Sequence, residues 1–442
     1  MDTVQKLFRF LDESPTCYHA AANAKAALTA AGAVELRESE QWKLEKGTLY
    51  VVERGDSALV AFRVPEGPFH GFLMAASHSD SPTFKVRETA EAASAGNTLR
   101  LSVEPYGGGV WRGWLDRPLS VAGRVVIRQG DRLVSRLVNG AIISQLVDVD
   151  QDLLVIPSVA IHMDRSVNKG AELNPAVDLL PLLGCGKEPG AFRKLIAEAA
   201  GVREEHLLST ELFLYPRTKA VQTGLNGEFI VSPRLDDLQC VFGCLEGFLA
   251  AKPGGSLPVL AVFNNEEVGS STRQGADSTF LTDVLERIAH GCGLDSEGWK
   301  AAVANSFMVS ADNAHAIHPA HPEYADKGEF PVLGGGIVIK YNANQRYTTD
   351  AVSGAVFQAI CQEAGVPVQR YSNRADLPGG STLGNISTAH LSVPTVDIGL
   401  PQLAMHSVCE TAGAADTDYL VKAMTAYFSR DFHRDRDGGI VF

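Results

Sequence analysis

The sequence predicts an α/β protein with a mixed sheet, helices on both faces of that sheet, and an inserted β-rich domain. Residues 71–76 form a nearly continuous apolar run, which is typical of a strand buried on both faces. After residue 86 the pattern changes to short β-like runs with turn residues, and from residue 231 strand-like and helical segments alternate again. We therefore predict one α/β domain from residues 1–86 and 231–442, with a β-rich domain at 87–230.

The individual elements follow from the period of the apolar residues. Before the buried strand, we expect a helix at 14–31 and two strands between 48 and 64 around the turn Arg54-Gly55-Asp56. The inserted domain is expected to include strands at 99–103, 119–127 and 152–157 and a helix near 189–207. Beyond it we expect helices near 234–251, 277–290, 351–364 and 416–430, and strands near 258–263, 307–310, 332–341 and 394–398.

The composition is that of an ordinary globular protein, with 45% hydrophobic and 21% charged residues among 442. A net charge of −13 disfavours nucleic acid and anionic membranes as partners, so any attraction for an acidic substrate must come from a local pocket. The seven cysteines include no C-x-x-C pair, and no signal peptide or apolar run of about 20 residues is recognisable. We expect a cytoplasmic protein.

Histidine and carboxylate side chains recur at the ends of predicted strands, where α/β sheets place their functional residues. They form five groups: His78 and Asp80 after 71–76, Asp236 at the head of a helix, Glu266 and Glu267 after 258–263, Asp312 after 307–310, and His406 after 394–398. Hydrolases with two metal ions need about six such ligands around ions ~3.5–4 Å apart. One such group is more often a hydrogen-bonded loop, but five in this order favour a two-metal site.

The order of these residues resembles that of the co-catalytic zinc aminopeptidases. From residue 4 to residue 430 the chain is similar to the aspartyl aminopeptidase family in particular. The segments that carry the resemblance are Ser14-Pro15-Thr16-x-Tyr18-His19-Ala20, Ser77-His78-Ser79-Asp80-Ser81-Pro82, Met163-Asp164-Arg165-x-Val167-Asn168, Asn264-x-Glu266-Glu267-Val268-Gly269-Ser270, Asp312-Asn313-Ala314-His315 and Gly379-Gly380-Ser381-Thr382-Leu383-Gly384. The resemblance implies a zinc-peptidase-like catalytic domain and an inserted domain that dimerises.

The resemblance also implies a ligand set for two divalent ions. His78, Asp236 and Asp312 would hold one ion, and Asp236, Glu267 and His406 the other, so that Asp236 bridges the pair. Three carboxylates against two divalent ions leave a net charge of roughly +1, a condition that acidifies a bridging water. Zinc is expected, although nitrogen and oxygen ligands also accept cobalt or manganese.

The remaining residues of the constellation are expected to serve the proton transfers. Asp80 would accept a hydrogen bond from the ring of His78 and fix its tautomer. Glu266 would be the general base that converts the metal-bridging water to hydroxide and then protonates the leaving amine. Since neighbours in a strand point to opposite sides, Glu266 and Glu267 are predicted to lie in a loop. A cis peptide bond between Asp236 and Asp237 is also implied by the resemblance.

Further residues are assigned to the substrate by the resemblance. Lys340 would face an acidic first side chain, and Gly380, Ser381 and Thr382 would line the pocket. His162, in the inserted domain, would reach the active site of a neighbouring subunit. The implied assembly is a homo-oligomer, a tetrahedral dodecamer built from dimers, that acts on peptides with a free N-terminus.

The predicted function is a metalloaminopeptidase that removes N-terminal Asp or Glu. The same chemistry on a neutral first residue such as Leu is the alternative, because two metal ions do not dictate the first side chain. A non-catalytic scaffold or binding protein is a more remote alternative, disfavoured by the intact constellation. Without the resemblance, Lys340 could equally be an exposed lysine at a strand end, and His162 an ordinary loop residue.

Overall fold

The computed structural model describes residues 2–128, 141–170, 172–186 and 190–442. Nine α-helices lie within these ranges: α1 (Thr3–Asp12), α2 (Cys17–Ala30), α3 (Ala191–Ala199), α4 (Leu235–Ala250), α5 (Phe280–Gly291), α6 (Ser296–Ala304), α7 (Ala351–Glu363), α8 (Leu383–His390) and α9 (Asp416–Phe428). No helix in the described part of the chain is long and apolar enough to cross a membrane.

The same ranges contain 22 short and long β-strands. In chain order they are β1 (Val34–Leu36), β2 (Leu49–Arg54), β3 (Ala58–Arg63), β4 (Phe72–His78), β5 (Thr83–Ala93), β6 (Thr98–Tyr106), β7 (Leu119–Arg128), β8 (Ile142–Asp148), β9 (Leu182–Cys185), β10 (Leu207–Pro216), β11 (Val221–Thr223), β12 (Phe229–Ser232), β13 (Leu257–Phe263), β14 (Phe307–Ala311), β15 (Ala314–His315), β16 (Ile337–Tyr341), β17 (Val368–Ser372), β18 (Thr395–Gly399), β19 (Pro401–Leu403), β20 (Glu410–Gly413), β21 (His433–Arg434) and β22 (Ile440–Val441).

A nine-stranded mixed sheet organises the first domain, in the order β1-β2-β3-β13-β4-β14-β18-β16-β17. The central strands β13, β4, β14 and β18 are parallel. Strand β3 runs antiparallel to β2 and β13, and β16 runs antiparallel to β18 but parallel to β17. Helices α1, α2, α4, α7 and α9 cover one face, and α5, α6 and α8 cover the other. The predicted α/β fold with helices on both faces is confirmed.

Strand β4 shows why the apolar run at 71–76 becomes a doubly buried strand. Because successive side chains point to opposite faces, Leu73 and Ala75 pack with the cluster around α4 and α9. Phe72 and Met74 pack with the cluster around α5 and α6. Every residue of β4 is buried, so a polar residue at its end, His78, is carried into the protein's interior.

A second sheet, in the order β8-β7-β10-β5-β6-β9, contains two of the three strands predicted for the inserted domain, those at 99–103 and 119–127. Its strands run from Thr83 to Pro216, and the inserted domain is predicted at 87–230. Strands β11 and β12 instead join a five-stranded sheet with β20, β19 and β15. The alternating pattern identifies strands, but the choice of neighbouring strand depends on contacts distant in sequence.

Three predicted elements differ from the structure. The predicted strand at 152–157 makes only single bridges, because it crosses between Leu119 and Leu182 and pairs with each at one residue. The strand predicted at 332–341 begins only at Ile337, since Gly334 and Gly336 adopt φ of 76° and 95°, which ends extended pairing. The helix near 189–207 is α3 and ends at Ala199; residue 189 lies outside the described ranges.

Replacing Tyr427 by Phe is expected to destabilise the first domain. The fully buried hydroxyl of Tyr427 on α9 donates to the carbonyl oxygens of Met74 (3.0 Å) and Phe307 (2.9 Å), which lie on adjacent strands. Without that donor, buried carbonyls lose a partner, at a cost of about 1–3 kcal/mol in the free energy of unfolding. Denaturant unfolding measures this cost. Tyr419→Phe on the same helix is the control, and equal stability of the two variants would contradict the expectation.

Candidate metal centre

The candidate site lies at the carboxyl ends of three neighbouring parallel strands. His78 ends β4, Asp312 directly follows β14, and Glu266–Val268 form a 3₁₀ turn shortly after β13. This is the edge of an α/β sheet at which ligands normally bind. The prediction that Glu266 and Glu267 lie outside a strand is confirmed.

Two further side chains approach this edge from other elements. Asp236 lies in the first turn of α4, and the peptide bond between Asp236 and Asp237 is cis, as expected. His406 follows β19 in a turn with φ of 65°, a left-handed conformation that turns the chain back toward the sheet. The sequence-predicted residues His78, Asp236, Glu267, Asp312 and His406 therefore converge.

The carboxylate of Asp236 lies between the two histidine rings. Its Oδ1 is 3.6 Å from Nε2 of His78, and its Oδ2 is 3.2 Å from Nε2 of His406. On the first side, Asp312 Oδ1 lies 4.0 Å from the same His78 nitrogen. On the other side, Glu267 Oε2 lies 3.4 Å from the His406 nitrogen. The arrangement is two groups of potential ligands that share one carboxylate.

Main-chain carbonyls orient both imidazole rings. Nδ1 of His78 lies 3.0 Å from the carbonyl oxygen of Asp80, and Nδ1 of His406 lies 2.7 Å from that of Gly108. With Nδ1 as the donor, each ring presents the lone pair of Nε2 to the carboxylates, which is the tautomer a metal ligand requires. Both rings are thus held in the same functional orientation.

Asp80 differs from its predicted contact. Its carboxylate Oδ1 lies 3.4 Å from the His78 ring, beyond the closer main-chain contact. Instead, the carboxylate accepts hydrogen bonds from the main-chain N–H groups of Glu266 and Glu267, each at 3.1 Å, and from the hydroxyl of Tyr106 at 2.8 Å. Asp80 therefore fixes the turn that carries the two glutamates.

Unpaired oxygen atoms test whether these residues fit metal ions. Oδ1 of Asp236, Oδ1 of Asp237 and Oε1 of Glu267 are buried and have no hydrogen-bond partner among the described residues. Buried carboxylates without donors are costly unless a cation binds them. Two sets of three side chains bring their potential ligand atoms within 4.8 Å of one another. The first set is His78, Asp236 and Glu267, and the second is Asp236, Asp237 and Asp312. The donor set fits divalent cations.

Burial and mutual repulsion perturb the carboxyl groups. Burial raises the pKa of Glu266 to about 7, with repulsion from Asp312 adding to the effect and His78 opposing it. Burial likewise raises the pKa of Asp312 to about 6, against the attraction of Lys340. For His406, burial works against the charged form, but the hydrogen bond to Asp236 raises its pKa to about 10. The negative potential of the centre therefore favours bound protons or cations.

A cavity of about 170 Å³ opens onto this centre. Its walls include His78, Asp236, Glu266, Asp312, Lys340, Gly380, Ser381, Thr382 and His406, all expected from the sequence, together with His315, Tyr347 and Tyr371. The carboxylate of Glu266 lines the cavity and makes no side-chain hydrogen bond to the described residues. It is therefore available to a bound molecule.

Lys340 is buried in the cavity wall, 2% exposed, so it is not the exposed strand-end lysine of the alternative interpretation. Its Nζ donates to the carbonyl oxygen of Asn313 at 2.8 Å and lies 3.9 Å from Asp312 Oδ2. It also lies 5.5 Å from the ring centre of Tyr347. Burial opposes its charge, but the neighbouring Asp312 carboxylate outweighs this and raises its pKa.

His162 lies apart from this cavity. It occupies an exposed turn of the inserted domain and is not among the residues that line the cavity. The structure of one chain therefore does not bring it to the centre. His315 reaches the cavity wall, whereas His318 lines a neighbouring cavity.

Sequence reasoning missed Glu410, which supports two of the convergent residues. This buried side chain accepts hydrogen bonds from the main-chain N–H groups of Asp236 (2.9 Å) and His406 (2.7 Å). Burial and the charge of Asp236 raise its pKa to about 8. Its position four residues after His406 was the available signal, but a glutamate there reads equally well as a surface residue.

Asp397 was also missed, and it supports Thr382, which lines the cavity. Its carboxylate accepts hydrogen bonds from the hydroxyl of Thr382 (2.6 Å) and from the hydroxyl (2.6 Å) and main-chain N–H (2.5 Å) of Thr348. The sequence around Asp397, which lies within β18, does not indicate which loop its carboxylate binds.

Comparisons with known proteins agree with this geometry. The family model described as aminopeptidase I zinc metalloprotease (M18) matches residues 10–428. A probable M18 family aminopeptidase 2 from Clostridium acetobutylicum is 42% identical over 435 residues, covering 97% of this chain and 99% of the relative. The match therefore extends over nearly the whole length of both chains.

Solved structures extend the comparison to the fold. Ape4, from a cryo-EM structure of its complex with Nbr1, superposes with a TM-score of 0.92 at 34% identity, covering 97% of this chain and 85% of that one. The S. cerevisiae mApe1 dodecamer gives a TM-score of 0.84 at 26% identity, with 97% of each chain covered. The chain therefore belongs to the M18 family of zinc metalloproteases, the aminopeptidase I family, and is a metalloaminopeptidase.

Proposed function

We propose that this aminopeptidase removes N-terminal Asp and Glu residues from peptides. The observation that carries the proposal is the cation of Lys340, buried in the cavity wall beside Asp312. In a protein with a net charge of −13, an anionic side chain needs a local partner, and a buried lysine gives one in a region of low dielectric. Ser381 and Thr382 line the same cavity and add polar groups.

Two divalent ions fit the centre as follows. His78, Asp236 and Asp312 would hold one ion, and Asp236, Glu267 and His406 would hold the other, with zinc expected and cobalt or manganese also accepted by these ligands. The paired contacts of Asp236 with both histidines support its role as the bridging ligand. When bound, two such ions polarise the scissile carbonyl and acidify water.

Glu266 moves the protons of the reaction. Its carboxylate is free, faces the cavity, and has a pKa near neutrality because of burial and nearby carboxylates, which suits a group that accepts and returns a proton. It accepts a proton from the attacking water and gives one to the leaving amine. Asp80 positions it, because it binds the N–H groups of both Glu266 and Glu267.

One observation favours a neutral first residue as the second candidate. Lys340 already donates to the carbonyl oxygen of Asn313 and lies 3.9 Å from Asp312, so its charge is partly balanced within the protein. A cavity whose lysine is fully engaged would prefer an uncharged side chain such as Leu. The acidic preference thus depends on how much of the Lys340 charge reaches the substrate.

The assembly that we propose is a tetrahedral dodecamer built from dimers, located in the cytoplasm. The mApe1 relative is a dodecamer, and the seven cysteines of this chain are unpaired, which fits a reducing compartment. Within each dimer, the exposed turn around His162 reaches the active site of the neighbouring subunit. Exposed apolar residues beside it, among them Ile161 and Met163, suit such a contact.

The substrate preference is tested with matched peptides that begin with Asp, Glu, Leu or Lys. On enzyme of known metal content, we expect kcat/KM to be highest for Asp and Glu. Lys340→Met should lower kcat/KM for the acidic peptides by about 10–100-fold and for Leu much less, because a charged hydrogen bond contributes about 1.5–3 kcal/mol.

Lys327→Met, an exposed lysine in a nearby loop, is the matched control. A uniform loss across all four peptides in Lys340→Met would refute its role in selection. A wild-type preference for Leu would support the neutral alternative and leave the metal centre intact.

Glu266→Gln is expected to keep its bound metal and lose about 10²–10⁴-fold in kcat, because glutamine cannot accept the proton. Metal content by elemental analysis and turnover by peptide hydrolysis measure the two effects. Glu286→Gln, on the exposed face of α5, is the control. Near-normal turnover in Glu266→Gln would falsify the assignment of the base.

Removing the metal is expected to destabilise the protein as well as inactivate it. The unpaired oxygens of Asp236, Asp237 and Glu267 would then repel one another, and ligand at 1,000 times its dissociation constant contributes about 4 kcal/mol. Thermal unfolding of chelated and zinc-restored enzyme measures the shift. Identical midpoints, with two ions per chain in the restored sample, would contradict the proposed centre.

A further inference from the structure

A second cavity of about 300 Å³ adjoins the catalytic one. His315 and Tyr371 line both cavities, and the consecutive residues Gly379 and Gly380 lie one in each. The rings of His315 and Tyr371 are 6.2 Å apart at an interplanar angle of 65°, so they form the boundary between the two spaces. A volume of this size is at the lower end of small-molecule sites.

Large apolar side chains surround the second cavity and remain open to water. Tyr324 is 62% exposed, Phe330 41% and Leu377 38%, and all three line it. Clustered exposed aromatic and aliphatic groups beside an active site are typical of a surface that another molecule covers. Their place next to the catalytic cavity indicates that the covering molecule enters both.

The wall of the second cavity is preformed. Ala325 makes an antiparallel bridge with Asn373, and the guanidinium of Arg374 donates to the carbonyl oxygen of Glu323. Ile317 N–H donates to the carbonyl oxygen of Pro331 at 2.8 Å. These bonds tie the segment after β15 to the end of β17, so the cavity does not need to be ordered by its ligand.

One polar atom in this wall lacks a partner. Oδ1 of Asn373 is buried and accepts no hydrogen bond from the described residues, and Asn373 lines the cavity. The side chain of Asn373 can lie here only because residue 379 is glycine: a Cβ on Gly379 would lie 1.6 Å from Nδ2 of Asn373. A buried amide oxygen without a donor is ready to accept an N–H group, such as one from a peptide main chain.

We infer that this second cavity binds the residue that follows the scissile bond, with its apolar or aromatic side chain between Tyr324, Phe330 and Leu377. The N–H of the next peptide bond, which aspartyl amide lacks, then donates to Oδ1 of Asn373. Only residues after the scissile bond can extend beyond the catalytic cavity, because an aminopeptidase substrate ends at its first residue. The inference rests on the aminopeptidase activity. It adds a preference for the second residue of the peptide to the preference for an acidic first residue that we propose.

The charges around the cavity disfavour an acidic second residue. Arg374, the cation in its wall, is paired with both carboxylate oxygens of Asp376, each at 2.7 Å. His318 accepts at Nδ1 a hydrogen bond from the N–H of Ala320 at 3.2 Å. With its cation neutralised, the cavity offers mainly apolar surface.

The test compares kcat/KM for Asp-Phe-Ala-Ala, Asp-Ala-Ala-Ala and Asp-Glu-Ala-Ala on zinc-loaded wild-type enzyme, with aspartyl amide as a substrate that has no second residue. We expect Phe to exceed Ala by about tenfold and Glu to be the poorest of the three. In Phe330→Ala, the ratio of Phe to Ala should fall from about ten to about one. Asn373→Ala should raise KM for all three peptides about fivefold relative to aspartyl amide.

Val332→Ala is the matched control, because Val332 is 44% exposed on the same segment and lies outside the cavity lining. Leu377→Ala gives the same readout if Phe330→Ala does not fold. Equal wild-type rates on the Phe and Ala peptides would overturn the inference. So would a Phe330→Ala variant that changes the mass of the assembly while keeping the Phe-to-Ala ratio, since the cavity would then be a subunit contact.

The same series with Leu as the first residue separates this inference from the proposed function. Failure to cleave any Asp-first peptide, with a Phe preference retained in the Leu-first series, would reject the acidic specificity and support the second cavity. Cleavage of all Asp-first peptides at one rate would reject the proposed role of the second cavity and leave the acidic specificity standing.

Discussion

The active site concentrates more negative charge than its own basic groups balance, and much of the surrounding structure serves to hold that charge. Seven carboxyl groups lie at or behind the centre: Asp80, Asp236, Asp237, Glu266, Glu267, Asp312 and Glu410. The nearby basic groups are fewer and include His78, His315, His406, Lys340 and Arg234. Buried carboxylates at such density are stable only when they are hydrogen-bonded or bound to cations. Asp80 and Glu410 meet this condition with main-chain N–H groups, whereas Asp236 and Glu267 retain free oxygens for ions.

The two sheets depend on each other at this centre. The carbonyl oxygen of Gly108, in the segment after β6, accepts the hydrogen bond that orients His406, and Tyr106 donates to Asp80. Gly107 approaches so closely that an added Cβ would lie 3.1 Å from Cβ of Glu267. The inserted domain therefore contributes directly to the geometry of the site, in addition to the role in assembly that the sequence suggests.

The convergence of the candidate ligands can be predicted because their positions in the sequence follow a local rule. A buried strand ends, and the next polar residue lies at the sheet edge, so His78, Asp312 and the pair at 266–267 can be found from apolar periodicity. Residues that act through main-chain contacts distant in sequence follow no such rule. Glu410 binds the N–H of Asp236, 174 positions earlier, and nothing in the local pattern around Glu410 indicates that contact.

The sheet that a given strand joins could not be predicted, for a related physical reason. A strand such as β12 has the same alternating pattern whichever sheet it joins, and its pairing with β20 is set by the return of the chain about 180 residues later. Asp80 illustrates the same limit on a smaller scale. Its importance was predicted from the resemblance, but its carboxylate serves the glutamate turn, while its main chain orients His78.

Lys340 connects the metal centre to the choice of substrate. Its Nζ lies 3.9 Å from Asp312, and the carbonyl that it binds belongs to Asn313, whose side chain donates to the main chain of Leu235 at the head of α4. The lysine is therefore held by the same segments that carry two proposed ligands. If Asp312 binds a divalent ion, its charge is shared with that ion, and less of it remains to balance Lys340. On this argument, metal binding would strengthen the attraction of Lys340 for the acidic first residue that we propose, and catalysis and the proposed specificity would then arise from one set of charges.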